Sequence, residues 1–368
     1  MWNVQVIVHS GGSVVSEKSF GHVDGQEAKA FVIDGGEGLY IKVSDYGARL
    51  VEAHVPDAEG STVDVVLGFD DAAQYAASPA YFGASVGRFA NRIRRGQFRL
   101  NGVDYQVDCN EKANHLHGGR EGWDSRLWSS EVHPDGKGVT FRTSSANGEM
   151  GFPGACEVTS SYRVEGRELR LTMEAVPDED TIINMVHHSY FNLAGHGSGD
   201  VLNQHMRIPA EFYLPVDDEL LATGEVRRVE GTPFDFRDAR PIGERMADLP
   251  PTGTAIFEGG SGYDHNWCLS GVDRPGEPEL IEALDVVEPV SGRRLRMWTT
   301  EPGLQMYTGG YLSAEIVGKG GMPYCRYAGF TLETQKFPDS PRFPHFPSPV
   351  VRAGERYRQV KVLGFSVI

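Results

Sequence analysis

An all-β fold of stacked antiparallel sheets with a few short helices is what the sequence predicts, on three observations. Glycine makes up 45 of 368 residues, well above an average usage of ~7%, and mostly divides short apolar runs. Several of those runs alternate apolar and polar residues on both sides of a turn dipeptide, as half-buried strands do. Helical periodicity is scarce, and no stretch supports a long helix.

Taken in order, DDAAQYAAS at Asp70–Ser78 has the pattern of two or three helical turns. FRLNGVDYQV at Phe98–Val107 reads as two strands around Asn101-Gly102, a pair whose tolerance of positive φ suits a tight hairpin. SSYRVEGRELRLTMEAV divides in the same way at Glu165-Gly166, and VVEPVSGRRLRMWTT at Ser291-Gly292. ARPIGERMADL at Ala239–Leu249 is expected to form a second short helix capped by Asp238. FPDSPRFPHFPSP at Phe337–Pro349 is rich in proline, yet its phenylalanines predict an extended loop packed on the protein and not a free linker. No repeat, low-complexity segment or charge block marks a domain boundary.

Lys and Arg number 35 against 51 Asp and Glu, a formal charge of −16. That sign repels nucleic-acid phosphates and anionic lipid headgroups and favours a neutral small molecule as ligand. No apolar run approaches the ~20 residues of a membrane span, and the opening MWNVQVIVHS has no basic segment and too short an apolar core for a signal peptide. Cys109, Cys156, Cys268 and Cys325 are scattered, as in a protein of a reducing compartment, so a cytoplasmic location is expected.

Six segments mix ionisable residues with aromatics and glycines. They are GRFANRI (Gly87–Ile93), NHLHGG (Asn114–Gly119), HHSYFNLAG (His187–Gly195), YDHNW (Tyr263–Trp267), TTEPGLQMYTG (Thr299–Gly309) and TLETQKFPD (Thr331–Asp339). In this order and spacing, with DYGARL, DVVLGFD, LATGEV, GTPFDFR and AGERYRQ, they resemble the aldose 1-epimerase family, also called galactose mutarotases, from about Gly38 to the C-terminus. The resemblance implies one β-supersandwich domain over residues 1–368, with residues 1–30 outside the clear match. It also implies a monosaccharide as substrate and neither metal nor other cofactor.

Converting one anomer to the other requires a base at the C1 hydroxyl and an acid at the ring oxygen. By resemblance the base is Glu333 of TLETQ and the acid is His188, directly before SYFNL. An ionised glutamate and a histidine kept protonated by acidic neighbours would suit the task. Alternation places Glu333 opposite Phe330, Leu332 and Thr334, which also fits a solvated strand carboxylate. Adjacent His187 and His188 point to opposite faces of a strand, so one enters the cleft; position selects His188 and leaves His187 a core residue, within reach of tuning the acid. Asn91, Arg92, His117, Asp264 and Gln305 become the hydroxyl-binding set by the same matching. A surface ion pair for Arg92 and Asp264, or a strand-edge amide for Gln305, is the ordinary alternative. Tyr190 faces either the sugar or the core.

Four other functions compete. His115 and His117, as an HxH joined by His188, Asp264 or Glu333, would make a metal site. The same hydroxyl-binding set without chemistry would make a carbohydrate-binding module. Ser189 beside His188 or His265 would make a hydrolase, although no GxSxG surrounds it. A sugar-phosphate epimerase would use Arg92, Arg94 and Arg95.

Overall fold

The computed structural model describes residues 5–8, 14–250 and 262–368. The start of the chain, where no signal peptide is expected, lies largely outside that set. Three large antiparallel sheets and several two-stranded pieces carry the fold. The first is a six-stranded meander of Gln5–Val8, Val14–Val23, Gln26–Asp34, Tyr40–Ser44, Arg49–Pro56 and Thr62–Asp64, each strand paired with the next.

A ten-stranded sheet starts at Ser129–Val132 and runs through Gly138–Ser145, Cys156–Glu165 and Glu168–Pro177 to the C-terminal strand Tyr357–Val367. Beyond it lie Arg293–Thr299 and Glu277–Val287. Tyr357–Val367 sits in the middle of this sheet, paired with Glu168–Pro177 on one side and Arg293–Thr299 on the other. The third sheet orders Tyr190–Phe191, Phe330–Gln335, Gly303–Tyr307, Asp264–Cys268, Phe212–Leu214 and Arg227–Arg228.

One apolar cluster draws on all three sheets: Phe31 and Ile41 from the first, Phe141, Leu171 and Leu363 from the second, Trp267, Leu304 and Leu332 from the third. Each large side chain buried there contributes ~1.5–3 kcal/mol. The third sheet is therefore covered on its core face by this cluster, and all six residues of Phe330–Gln335 are buried. Burial on both faces, and not alternation, is what makes that strand's pattern ambiguous in the sequence.

Local chemistry explains most of the short elements. Asn101 and Gly102 both take positive φ, 51° and 83°, and join Gln97–Leu100 to Val103–Gln106 as a two-residue turn. The second hairpin turns one residue later than expected, at Gly166-Arg167, because Glu165 still pairs with Glu168. The third has a longer loop, where the Glu288 carboxylate accepts from the backbone of Val290 and Ser291. The Asp70–Ser78 helix is Ala72–Ala77, with Asp71 and Gln74 forming a capping box.

The expected helix at Ala239–Leu249 does not form. Arg240–Pro241 pairs with His205–Arg207 instead, and only Met246–Asp248 makes a single 3-10 turn. The Ile242 and Gly243 amides donate to Gln204 and Leu202, so tertiary partners take the hydrogen bonds that a helix would use, and Asp238 caps nothing. Phe337 and Phe346 are buried, and the proline-rich stretch packs as an extended loop. Among the described residues no helix is long and apolar enough to cross a membrane.

Candidate active site

The third sheet ends in a cavity of about 260 Å³ lined by residues from most of the chain. Glu333 lies mid-strand between the Tyr190–Phe191 and Gly303–Tyr307 strands and reaches the cavity. His188 follows the short strand Val186–His187, and its backbone is tied to the 83–84 segment at both N–H and C=O. Arg92 comes from Arg92–Ile93, which pairs with His115–Leu116 and so brings GRFANRI against NHLHGG. The chain then turns sharply, with φ of 52° at His117 and 93° at Gly118. A Cβ on Gly118 would lie 1.9 Å from the Gly87 carbonyl oxygen, so only glycine allows this close approach.

His188 Nε2 stands 3.5 Å from Glu333 Oε1, and both side chains are almost fully buried. Thr331 Oγ1 donates to the same oxygen at 2.9 Å, while Glu333 Oε2 is buried and accepts nothing from the protein. His117 Nδ1 accepts the Asn91 backbone N–H at 3.2 Å, which places the ring proton on Nε2 and makes that nitrogen a donor. Asp264 accepts from Gln305 Nε2 at 2.7 Å. Arg92 holds Glu111 through two charged hydrogen bonds of 2.7 and 2.6 Å. Tyr81 covers both histidines, its ring 4.8 Å from His117 and 5.7 Å from His188.

Burial sets the electrostatics of the pair. It pushes the Glu333 carboxyl up to about 7, more than the Thr331 hydroxyl, the Lys361 ammonium and Arg92 pull it down. It lowers His188 to about 4 despite Asp264 and Asp124, and it holds His117 well below the ordinary histidine value. Burial thus works against both charged forms of the expected pair, the Glu333 carboxylate and the His188 imidazolium, and favours the neutral pair with the proton on the carboxyl.

Of the residues singled out from the sequence, Glu333, His188, Asn91, Arg92, His117, Tyr190 and Asp264 all line the cavity. Gln305 does not; it stands behind Asp264 and holds its carboxylate. His187 points into the core against Tyr162. His115 donates from Nδ1 to the Asp108 carbonyl and accepts the Gly118 N–H at Nε2, so backbone satisfies it and it does not join His117. Donor atoms of His117, His188 and Glu333 lie within 4.8 Å of one another. A metal there would need the His117 Nε2 lone pair, which the bond from Asn91 leaves protonated. Ser189 is buried beside His187, and His265 packs against Phe234, so neither enters the cavity.

Sequence reasoning missed Glu111, Tyr81, Tyr307, Tyr311, Leu312 and Ile316. Glu111 had one usable signal, a carboxylate three positions before the NHLHGG segment. The loop aromatics had none, since irregular backbone such as Tyr81 at φ 52° imposes no periodicity.

Residues 29–363 match the aldose 1-epimerase family. The chain is 39% identical over 329 residues to galactose mutarotase of Homo sapiens, covering 89% of this chain and 92% of that protein. It is 35% identical over 338 residues to aldose 1-epimerase of Escherichia coli K12, covering 91% and 94%. A solved aldose epimerase homologue from C. elegans superposes with a TM-score of 0.82 at 29% identity, covering 92% of this chain and 98% of that one. Galactose 1-epimerase from Lactobacillus acidophilus does so at 0.79 and 25%, covering 96% and 98%. The chain belongs to the aldose 1-epimerase family of carbohydrate isomerases, and its reaction is the interconversion of the α and β anomers of an aldose.

Proposed function

We propose that Glu333 is the base and His188 the acid of anomer interconversion on a free, uncharged aldose. The observation that carries this reading is the buried Glu333–His188 pair at 3.5 Å with one carboxylate oxygen unsatisfied. Oε2 accepts the C1 hydroxyl, and hydroxyl donors arriving beside the carboxyl favour its ionised form, so the resting proton passes to His188. His188 then donates to the ring oxygen as Glu333 takes the C1 proton. The C1–O5 bond opens, the C1–C2 bond rotates, and the same two transfers run backwards to close the ring on the other face of the carbonyl. The pair holds one proton at the start and at the end, and no other reactant is consumed.

Arg92, Asn91, Asp264 and His117 supply donors and acceptors for the remaining hydroxyls, while Tyr81, Tyr190, Tyr307 and Tyr311 offer faces to the CH side of the ring. Among the described residues Arg92 is the single Lys or Arg lining the cavity, and Glu111 already neutralises it; Asp264 adds a further carboxylate. Arg94 pairs with Asp217, and neither it nor Arg95 reaches the cavity. A sugar phosphate would therefore meet repulsion. Galactose is the first sugar to test, because the mammalian relatives are named for it.

Glu111→Gln is expected to raise KM about tenfold with kcat nearly unchanged, the worth of one charged hydrogen bond of ~1.5 kcal/mol that orients Arg92. Steady-state kinetics check this, and a fall in kcat at constant KM would assign Glu111 a different role. The dependence of kcat/KM on pH is expected to be bell-shaped. Below about 4 His188 gains a second proton and the site has no base; above about 7 the pair loses its only proton and has no acid. A rate still climbing well above neutral pH contradicts the single shared proton.

A further inference from the structure

Among the described residues Lys361 is the one fully buried ammonium directly behind the catalytic strands, and nothing in the mechanism above uses it. It lies on the C-terminal strand Tyr357–Val367 and is 2% exposed. Burying a charge without a hydrogen-bonded partner is expensive, so such a group calls for a reason. Its Nζ donates to the Leu332 carbonyl at 2.8 Å and to the His187 carbonyl at 3.4 Å. Those are the residues immediately before Glu333 and His188. Two positions earlier on the same face of the same strand, Gln359 Nε2 donates to the Thr334 carbonyl, on the other side of Glu333. Among the described residues Lys361 forms no ion pair.

From this geometry we infer that Lys361 is a positioning residue for the epimerase reaction, fastening the two catalytic strands to each other and providing the counter-charge that favours the ionised form of Glu333. The inference rests on the reading of Glu333 and His188 as the proton-transfer pair. Of the cations that favour ionised Glu333, Lys361 acts more strongly than Arg92, which faces the carboxyl from the cavity side. Burial lowers Lys361 itself to about 7, and the charge opposing that fall is Glu333. The titratable groups facing Lys361 are Glu333 from the third sheet and, from the His187–His188 segment, two imidazoles that it disfavours from charging. The strands on either side place Leu171 and Thr299 opposite it, neither of them charged.

A cation beside the pair makes it release its shared proton at lower pH. Replacing an ammonium buried without an ion-pair partner by a neutral chain of similar length is expected to leave the fold intact. In Lys361→Met and Lys361→Gln, the alkaline limb of kcat/KM for anomer exchange is therefore expected to move up by about one pH unit. A purely structural role lowers the rate at every pH and leaves the limb in place, and an unmoved limb in both variants overturns the inference. Coupling is reciprocal, so NMR titration of Lys361 Nζ is expected to shift to lower pH in Glu333→Gln than in the wild-type chain. That measurement needs no turnover: an unchanged titration overturns the Lys361–Glu333 coupling, whereas absence of wild-type anomer exchange overturns the catalytic reading beneath it.

Discussion

Glu333→Gln is expected to lower kcat for anomer exchange by about 10²–10⁴-fold while the sugar still binds. The amide keeps the size of the carboxylate and can still accept from the Thr331 hydroxyl, which donates to Glu333 at 2.9 Å. What it loses is the ability to take a proton. Because burial pushes the carboxyl up to about 7, glutamine also removes the desolvation cost of a charge, so the variant is expected to fold at least as well as the parent. Anomer exchange by NMR together with calorimetric binding separates the two effects. Normal exchange with normal binding would exclude Glu333 as the base.

His188→Gln is expected to cost a similar factor, and the double variant little more than either alone. The two groups hand one proton between them across 3.5 Å, so removing either stops both transfers. Additive losses would show that they act in separate steps. The neighbouring His187 gives the control. It is buried against Tyr162, 5.7 Å away, and burial holds it well below the ordinary histidine value. His187→Gln is expected to act on stability before it acts on rate.

The legible part of this protein was its punctuation and its motif series. Asn101-Gly102 gave a turn in its expected place because positive φ at two successive residues is local chemistry. Ala239–Leu249 misled because its amides answer to Gln204 and Leu202, which lie far along the chain from any local signal. Seven of the eight site residues meet in one cavity. Gln305 carried the right chemical type and, opposite Glu333, shares its face of the sheet, yet its amide is taken up by the Asp264 carboxylate and it does not line the cavity. The proton's location was illegible for a further reason: it depends on how dry the site is, and burial on both faces of Phe330–Gln335 appears only once three sheets are stacked.

The most direct test is exchange between α and β anomer signals by NMR, with wild-type chain, across free aldoses and their 1-O-methyl glycosides. Glycosides have no C1 hydroxyl proton to remove and cannot open by this route. Acceleration of at least one free aldose, with none for its methyl glycoside, is the expected result. No acceleration for any free aldose, or equal effects on sugar and glycoside, would contradict a Glu333–His188 pair that works by opening the ring.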